Sequence, residues 1–380
     1  FTAFGAMILA RSVDLLSLFL GLETMSLGAY ALVAYRRTSA RALEGAVKYF
    51  LLGSFAAAIL LFGSALLYGA TGHTDLAGIQ ASLASGAAVP SLTIFALIMI
   101  VVGLTFKVGA VPFHMWVPDA YEGAATPATT FMSVAVKSAA VAILVRVLIG
   151  AFGDDASIGL YTGWTPVIII LAVLSMVYGN LAALAQSSVK RMLAYSSVAH
   201  AGYILVGFAA AHEVGELAVS AVLYYMAAYT VSNVLAFGSL ILMGSKGKEA
   251  VSYDDLAGAG RRHPAAAFPF VIGVLSLLGM PPTAGFFGKY YVFSAAVQAD
   301  LVWLAVLGVL ASAVGAYYSL KVVVYLFMKE PEEDAPIAVP MRSGYVLVAL
   351  VLAGYYVVKM GVAPTRYLEW AASAAQGLVS

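Results

Sequence analysis

Long apolar runs, separated by short polar breaks, dominate this chain. After an apolar fragment at 1–10, ten runs lie at roughly 15–35, 43–69, 92–117, 124–150, 164–185, 192–211, 216–244, 265–296, 301–328 and 343–361. Most are at least as long as the ~20 residues that cross a bilayer. Because a lipid-exposed backbone must satisfy its own hydrogen bonds, and the runs lack the alternation of barrel strands, they predict transmembrane helices.

The composition also indicates a membrane protein. Of the 380 residues, 62% are hydrophobic and only 10% are charged, against roughly 25% charged in soluble domains. The net charge of +1 gives no indication of nucleic-acid binding. The chain has no cysteine, which excludes disulfides, thiolate metal sites and cysteine-held iron–sulfur clusters. Electron transfer within this chain is therefore not expected.

Basic residues in the polar breaks predict the topology. Two, Arg11 and Arg366, fall on one side, and eleven fall on the other: Arg36, Arg37, Arg41, Lys190, Arg191, Lys246, Lys248, Arg261, Arg262, Lys329 and Arg342. Positive loops stay cytoplasmic, so the side rich in Lys and Arg, called the basic face below, is expected to be cytoplasmic. The chain starts without Met at Phe1, inside an apolar run and with no leader peptide visible, and we expect earlier helices to precede it.

Two pairs of segments resemble each other across the chain. Leu61–Gly72 resembles Ala236–Gly247, and Ala29–Tyr35 resembles Gly202–Phe208, with offsets of 175 and 173 residues. Five spans separate the copies, and an odd number inverts the second copy, as in many ion transporters. We therefore expect the end of a helix at 1–10, a first inverted repeat at 11–150, a second at 151–330, and a C-terminal helix and tail at 331–380.

Two spans are interrupted at corresponding places. One interruption follows Lys107, in the sequence Lys-Val-Gly-Ala-Val-Pro-Phe-His, and the other precedes Lys289, in Gly-Met-Pro-Pro-Thr-Ala-Gly-Phe-Phe-Gly-Lys. Proline removes a backbone donor and clashes with the preceding turn. A packing kink is the simpler interpretation, but broken transporter helices free backbone groups for ions or water, and the neighbouring lysines favour this second interpretation.

Four charged residues lie deep within the predicted spans: Glu23, Lys107, Lys137 and Lys289. Such charges are tolerated mainly where they face the bundle interior or water, and they mark ion or proton pathways. The alternative is a static buried ion pair. Movement of Glu23 relative to Lys107 would switch the lysine between holding and releasing a proton. His200, in the sixth span, is either a packing residue or a relay between lysines.

Signals of other chemistry are weak. His212-Glu213 lacks the second histidine of a zinc protease motif, and the sequence has no dinucleotide-binding GxGxxG, Walker loop or nucleophile elbow. An intramembrane hydrolase is therefore disfavoured, whereas an inert membrane scaffold stays open.

Three longer motifs resemble a known family. The segment Phe106–Tyr121 is similar to the seventh-helix signature of the antiporter-like subunits of respiratory complex I, Ser188–Tyr203 to their tenth-helix entry, and Gly279–Lys289 to their twelfth-helix break. With Gly21–Glu23 added, the resemblance covers essentially the whole chain. It implies an all-α fold of two inverted five-helix repeats with broken helices, and it places Phe1 within the fourth of fourteen helices.

The resemblance also implies roles for individual residues. Glu23 matches the essential glutamate, Lys107 its lysine partner, Lys137 the connecting lysine and Lys289 the terminal lysine, with His200 as a possible linking group. M-type members carry glutamate at the position of Lys289 and L-type members continue into a long lateral helix, so the N type is favoured.

The family further implies a proton-translocating subunit in an energy-transducing membrane such as the bacterial inner membrane. Its partners would be the other membrane subunits of the complex and lipid. NADH, FMN, iron–sulfur clusters and quinone would act in other subunits, with no cofactor in this chain. A cation/proton antiporter subunit and a membrane-bound hydrogenase subunit are the alternatives.

Overall fold

The computed structural model describes residues 1–153, 163–244, 249–330 and 343–379, and these ranges are mainly helical. Three residues used for the topology, Lys246, Lys248 and Arg342, lie outside them. The α-helices are α1 (Thr2–Arg11), α2 (Leu15–Val33), α3 (Ala40–Thr71), α4 (Leu76–Ala84), α5 (Pro90–Val108), α6 (Trp116–Gly123), α7 (Thr126–Phe131), α8 (Lys137–Val145), α9 (Thr165–Leu184), α10 (Val189–Val214), α11 (Glu216–Met243), α12 (Ala259–Arg262), α13 (Pro264–Leu278), α14 (Ala284–Gln298), α15 (Val302–Phe327), α16 (Gly344–Val362) and α17 (Thr365–Val379).

The predicted transmembrane helices are present. Within the described ranges, nine helices are long and apolar enough to cross a membrane. One of them, Thr126–Phe152, joins α7 and α8 through the π-helical turn Met132–Val136 and continues as a second π-helical segment, Arg146–Phe152. The run predicted at 265–296 is two half-helices, α13 and α14, neither of which spans alone. Together they account for the ten predicted runs.

Both predicted helix breaks occur, and they share one backbone geometry. Helix α5 ends at Gly109 and helix α13 at Gly279, with φ of +78° and +93°, a region that favours glycine. In each case the glycine N–H bonds back to the last turn of the helix. A proline three residues later, Pro112 or Pro282, follows a cis peptide bond. Because proline has no N–H, the carbonyl four residues before it has no helical partner.

Helix contacts repeat at a constant offset of 174 residues. Gly5 packs against the backbone of Met25, and Gly179 packs against the backbone of Ala199. In the same way Gly28 approaches Thr2, and Gly202 approaches Met176. At Gly5 and Gly202 a Cβ atom would overlap the neighbouring helix, so glycine permits this close approach. The pair α1–α2 is therefore packed like the pair α9–α10.

Two short backbone bridges repeat at the same offset. Asp14 precedes α2 and pairs with Asp75, while Ser188 precedes α10 and pairs with Ser252. Each of the two helices thus begins beside a bridge, and its first N–H donates to the bridging segment. Five membrane crossings separate α2 from α10, so the two bridges lie on opposite faces. This is the arrangement of two inverted repeats.

The C-terminal tail is more ordered than expected from the sequence. It forms helix α17, which packs on α11 and also contacts α8 and the π-helical segment after it. Helix α10 lies at the centre of the bundle, with almost all of its apolar span buried. The candidate lysines point toward this centre from α5, α8 and α14.

Candidate functional site

Glu23 and Lys107 face each other near the first break. Lys107 ends helix α5 with its side chain only 2% exposed. Its Nζ donates to the Tyr30 hydroxyl at 3.2 Å. Glu23, two turns before Tyr30 on α2, is half-buried and interacts electrostatically with both Lys107 and Tyr30. Among the described residues no ion pair joins Glu23 to Lys107 directly, so Tyr30 is the hydroxyl between them.

Aromatic rings complete the surroundings of Lys107. Its Nζ lies 5.2 Å from the ring centroid of Tyr30 and 5.4 Å from those of Tyr49 and Phe106. A cation is attracted to the face of such rings. Glycine at Gly53 on α3 is required here, because a Cβ atom would overlap the Tyr30 hydroxyl. The sequence thus places small and aromatic residues on α2 and α3 around one buried amine.

Lys137 occupies a similar site on α8. It directly follows the π-helical turn Met132–Val136, a feature often found at functional sites. Its side chain is 3% exposed, and its Nζ donates to the Ser197 carbonyl and hydroxyl, both at 2.6 Å. The Tyr229 hydroxyl donates to the same serine hydroxyl at 2.9 Å, and the Tyr229 ring lies 5.1 Å from Nζ.

Lys289 uses the second break. Its Nζ donates to the Leu278 carbonyl at 2.7 Å and to the Ser312 hydroxyl at 2.6 Å. Leu278 lies four residues before Pro282, so its carbonyl has no helical donor. The Tyr203 ring centroid is 4.7 Å from Nζ. The break therefore supplies a backbone oxygen to the lysine, as the sequence pattern suggested.

His200 lies between the second and third lysines. Its Nδ1 is 2.6 Å from the Tyr225 hydroxyl, and its ring contacts Tyr203 and Tyr229, the residues beside Lys289 and Lys137. The imidazole interacts electrostatically with both lysines. A cavity of about 10 Å³ beside it, lined in part by Ser232 and Ser276, has about the size needed for one water.

The structure thus brings together most, but not all, of the predicted site residues. Glu23 and Lys107 form one group, and Lys137, His200 and Lys289 form another. Within the described residues no hydrogen bond joins Lys107 to Lys137. The lysines share one environment: a buried amine that donates to a hydroxyl and lies over an aromatic ring.

Several site residues were not identified from the sequence: Tyr30, Ser197, Tyr225, Tyr229, Tyr203 and Ser312. The chain has 22 tyrosines, and their usual role in membrane helices is at the interfaces. Their burial against lysines depends on helix packing. The spacing of Tyr30 from Glu23, seven residues on one helix, was the one local signal available.

An ion cluster joins the two repeats at the basic face. The Lys190 side chain is fully buried and donates to the Ala124 carbonyl at 2.7 Å and to Glu249 at 3.2 Å. Glu249 also accepts from Arg36 at 3.1 Å and from the Thr126 N–H at 2.9 Å. Burial raises the pKa of the Glu249 carboxyl, but Lys190, the Thr126 N–H and Arg36 together hold that pKa below its ordinary value.

A second set of ion pairs lies beside this cluster. Arg191 contacts Asp119 at 2.7 Å and Glu122 at 3.2 Å, and Lys48 contacts Asp119 at 2.8 Å. Across the parts of the chain that the structure describes, no group of three His, Asp or Glu side chains is arranged to hold a metal ion. Buried amines and hydroxyls that can carry protons are therefore the chemistry that this site offers.

Comparison with known proteins agrees with this geometry. The family model described as "NADH:quinone oxidoreductase/Mrp antiporter, TM" matches residues 12–315. A relative from Sorangium cellulosum (strain So ce56), "NADH-quinone oxidoreductase subunit N 1", is 60% identical over 372 residues, which are 97% of this chain and 73% of that protein.

Solved structures are similar as well. A chain of respiratory complex I from Thermus thermophilus is 37% identical, with a TM-score of 0.81 over 96% of this chain and 77% of that one. A chain of an archaeal membrane-bound sulfane sulfur reductase is 27% identical, with a TM-score of 0.86 over 99% and 74%. With a family model that covers most of its length and a 60% identical relative, the chain belongs to the NADH:quinone oxidoreductase/Mrp antiporter transmembrane family.

Proposed function

We propose that this chain is the N-type, proton-translocating membrane subunit of an NADH:quinone oxidoreductase. One observation carries the proposal: three lysines, each at most 8% exposed, donate to a hydroxyl in the interior of a membrane bundle. A buried amine can lose its proton far more readily than an exposed one. Adjacent hydroxyls and water then provide the path along which the proton moves.

The proposed relay uses the two groups in turn. A change in charge near Glu23 alters the field at Lys107 through the polar gap that Tyr30 occupies. Protons then pass between Lys137, His200 and Lys289, through the Ser197 hydroxyl and the tyrosine hydroxyls around the imidazole. Water is needed between Lys107 and Lys137. In this proposal residues 11–150 and 151–330 are two half-channels.

The assembly follows from the same proposal. Partners are the neighbouring antiporter-like and small membrane subunits, together with lipid, in a bacterial inner membrane or its equivalent, with the basic face in the cytoplasm. NADH, FMN, iron–sulfur clusters and quinone act in other subunits, and this chain contributes proton movement. The alternative, a subunit of a cation/proton antiporter, is supported by the shared family; the 60% identical relative, named as an oxidoreductase subunit, favours the first proposal.

The test uses the intact complex in sealed vesicles. Lys107→Ala and Glu23→Gln should each lower NADH-driven proton pumping by roughly tenfold, since loss of a positioned proton-transfer group costs 10²–10⁴-fold at most. Lys329→Ala, which changes an exposed lysine near the basic face, is the control. Normal pumping by Lys107→Ala and Glu23→Gln in a fully assembled complex would contradict the proposal and support an inert scaffold.

A further inference from the structure

A hydrogen-bonded chain leaves the relay at Lys289 and is not needed for the path described above. From Lys289 the bonds continue through Ser312 to the Tyr203 hydroxyl. Asn180 donates to that hydroxyl at 3.0 Å and accepts from the Tyr318 hydroxyl at 3.0 Å. Asn180 and Tyr203 are 2% exposed and Tyr318 is 6% exposed. Four helices, α9, α10, α14 and α15, therefore contribute to one buried polar line.

This line rises toward the basic face. Ser312 and Tyr318 both lie on α15, which runs toward its end at Phe327 and the exposed Lys329. Six residues separate them, about 9 Å along the helix axis at 1.5 Å per residue. Lys321 lies one turn further on the same face of the helix. Each step thus moves away from the level of Lys289 and closer to the loops that carry Arg261 and Arg262.

A buried hydroxyl without a partner lies at the upper end. Tyr253, in the segment before α12, is 3% exposed, and its hydroxyl has no hydrogen-bond partner among the described residues. Its ring packs 4.2 Å from the Lys321 amine, and it interacts electrostatically with Tyr318. Buried hydroxyls are nearly always hydrogen-bonded, so this one is suited to a bridging water.

Space is kept open along the line. Gly315 faces the Asn180–Tyr318 bond, and a Cβ there would lie 3.1 Å from the Asn180 amide oxygen and 3.2 Å from the Tyr318 hydroxyl. Asn180 is itself fixed by donation to the Met176 carbonyl at 2.7 Å. The amide therefore holds two phenol hydroxyls in one line, which makes it a positioning residue.

We propose that Tyr203 and Tyr318, aligned by Asn180, form a proton branch that connects Lys289 to the basic face at Tyr253 and Lys321. The branch rests on the proposed function, since it exchanges protons with the relay lysine. Protons move between hydroxyls and water by exchange of hydrogen bonds, and no bond other than O–H or N–H is formed or broken. The second repeat then opens to the basic face through α15.

The experiment measures pumping and NADH oxidation by the intact complex in sealed vesicles. Tyr318→Phe and Tyr203→Phe remove only a hydroxyl, and each should cause at least half of the loss in protons pumped per NADH that Lys289→Ala causes. Tyr317→Phe is the matched control, since Tyr317 is the neighbouring residue and is 66% exposed; it should pump normally. Normal pumping by both Tyr318→Phe and Tyr203→Phe, with a loss in Lys289→Ala, overturns the branch and leaves the proposed function standing.

A packing effect is separated by a third variant. Tyr318→His keeps a proton-carrying group but loses the phenol shape, whereas Tyr318→Phe keeps the shape. More pumping by Tyr318→His than by Tyr318→Phe supports the branch, and the reverse order assigns Tyr318 a packing role and overturns it. If Lys289→Ala pumps normally, the branch also fails; Lys107→Ala then decides separately whether the proposed function fails with it.

Discussion

Glu249→Ala should destabilise the contact between the two repeats. The substitution removes the carboxylate that Lys190, Arg36 and the Thr126 N–H share. Lys190 is fully buried, and it would keep only the Ala124 carbonyl as a described acceptor. Leaving one charge of a buried pair without its partner costs about 3–5 kcal/mol. Since the Glu249 side chain is 25% exposed, water offsets part of this, and we expect about 2–4 kcal/mol.

Thermal unfolding of the purified protein in detergent measures this loss. At about 2 °C per kcal/mol for a chain of this length, the midpoint should fall by about 4–8 °C. Glu213→Ala is the control, because Glu213 forms an exposed pair with His212 at 3.8 Å, and exposed pairs contribute about 0–1 kcal/mol. Equal midpoints for the two variants at pH 7 would refute the assignment of the cluster as a structural connection.

The pH dependence gives the prediction a sign. The pKa of Glu249 is lower in the folded chain than the ordinary value of 4.5. A carboxyl of this kind stabilises the fold above its unfolded pKa, and the stabilisation disappears as pH falls through the folded pKa. The difference between wild type and Glu249→Ala should therefore be full at pH 6–7 and shrink below about pH 4.5. A difference that grows on acidification would show that the cause lies elsewhere.

Three further outcomes are expected. Gly53→Ala should displace the Tyr30 hydroxyl and lower pumping to about the level of Tyr30→Phe, whereas Gly69→Ala, on the same helix with open space around it, should pump normally; equal pumping by the two glycine variants would exclude this role for Gly53. Ser197→Ala should lower pumping because it removes the hydroxyl shared with Lys137, and Ser294→Ala, at the partly exposed Ser294, provides the comparison. Gly279→Ala should cost about 1–2 kcal/mol through its positive φ and crowd the Lys289 side chain, which thermal unfolding together with pumping would detect.

The sequence by itself determined the architecture. Long apolar runs leave the backbone no alternative to helices in lipid. The prolines after Gly109 and Gly279 remove the donors that a continuous helix would need, so both breaks were visible as letters. The offset of about 174 residues between similar segments likewise indicated two inverted copies, which the contacts of Gly5 and Gly179 reproduce. Charges within apolar runs identified Glu23 and the three lysines, because their cost in lipid demands a function or a partner.

Only the tertiary structure decided what each charge contacts. The partners of Lys107, Lys137 and Lys289 are hydroxyls on other helices, between 23 and 77 residues away in sequence. Tyrosine is common in any membrane protein, so no local pattern distinguishes Tyr30 or Tyr203 from an interfacial tyrosine. The folding of the tail as α17 was missed for a related reason. It is a short amphipathic segment without the length of a membrane span, and its position depends on the surface of α11 against which it packs.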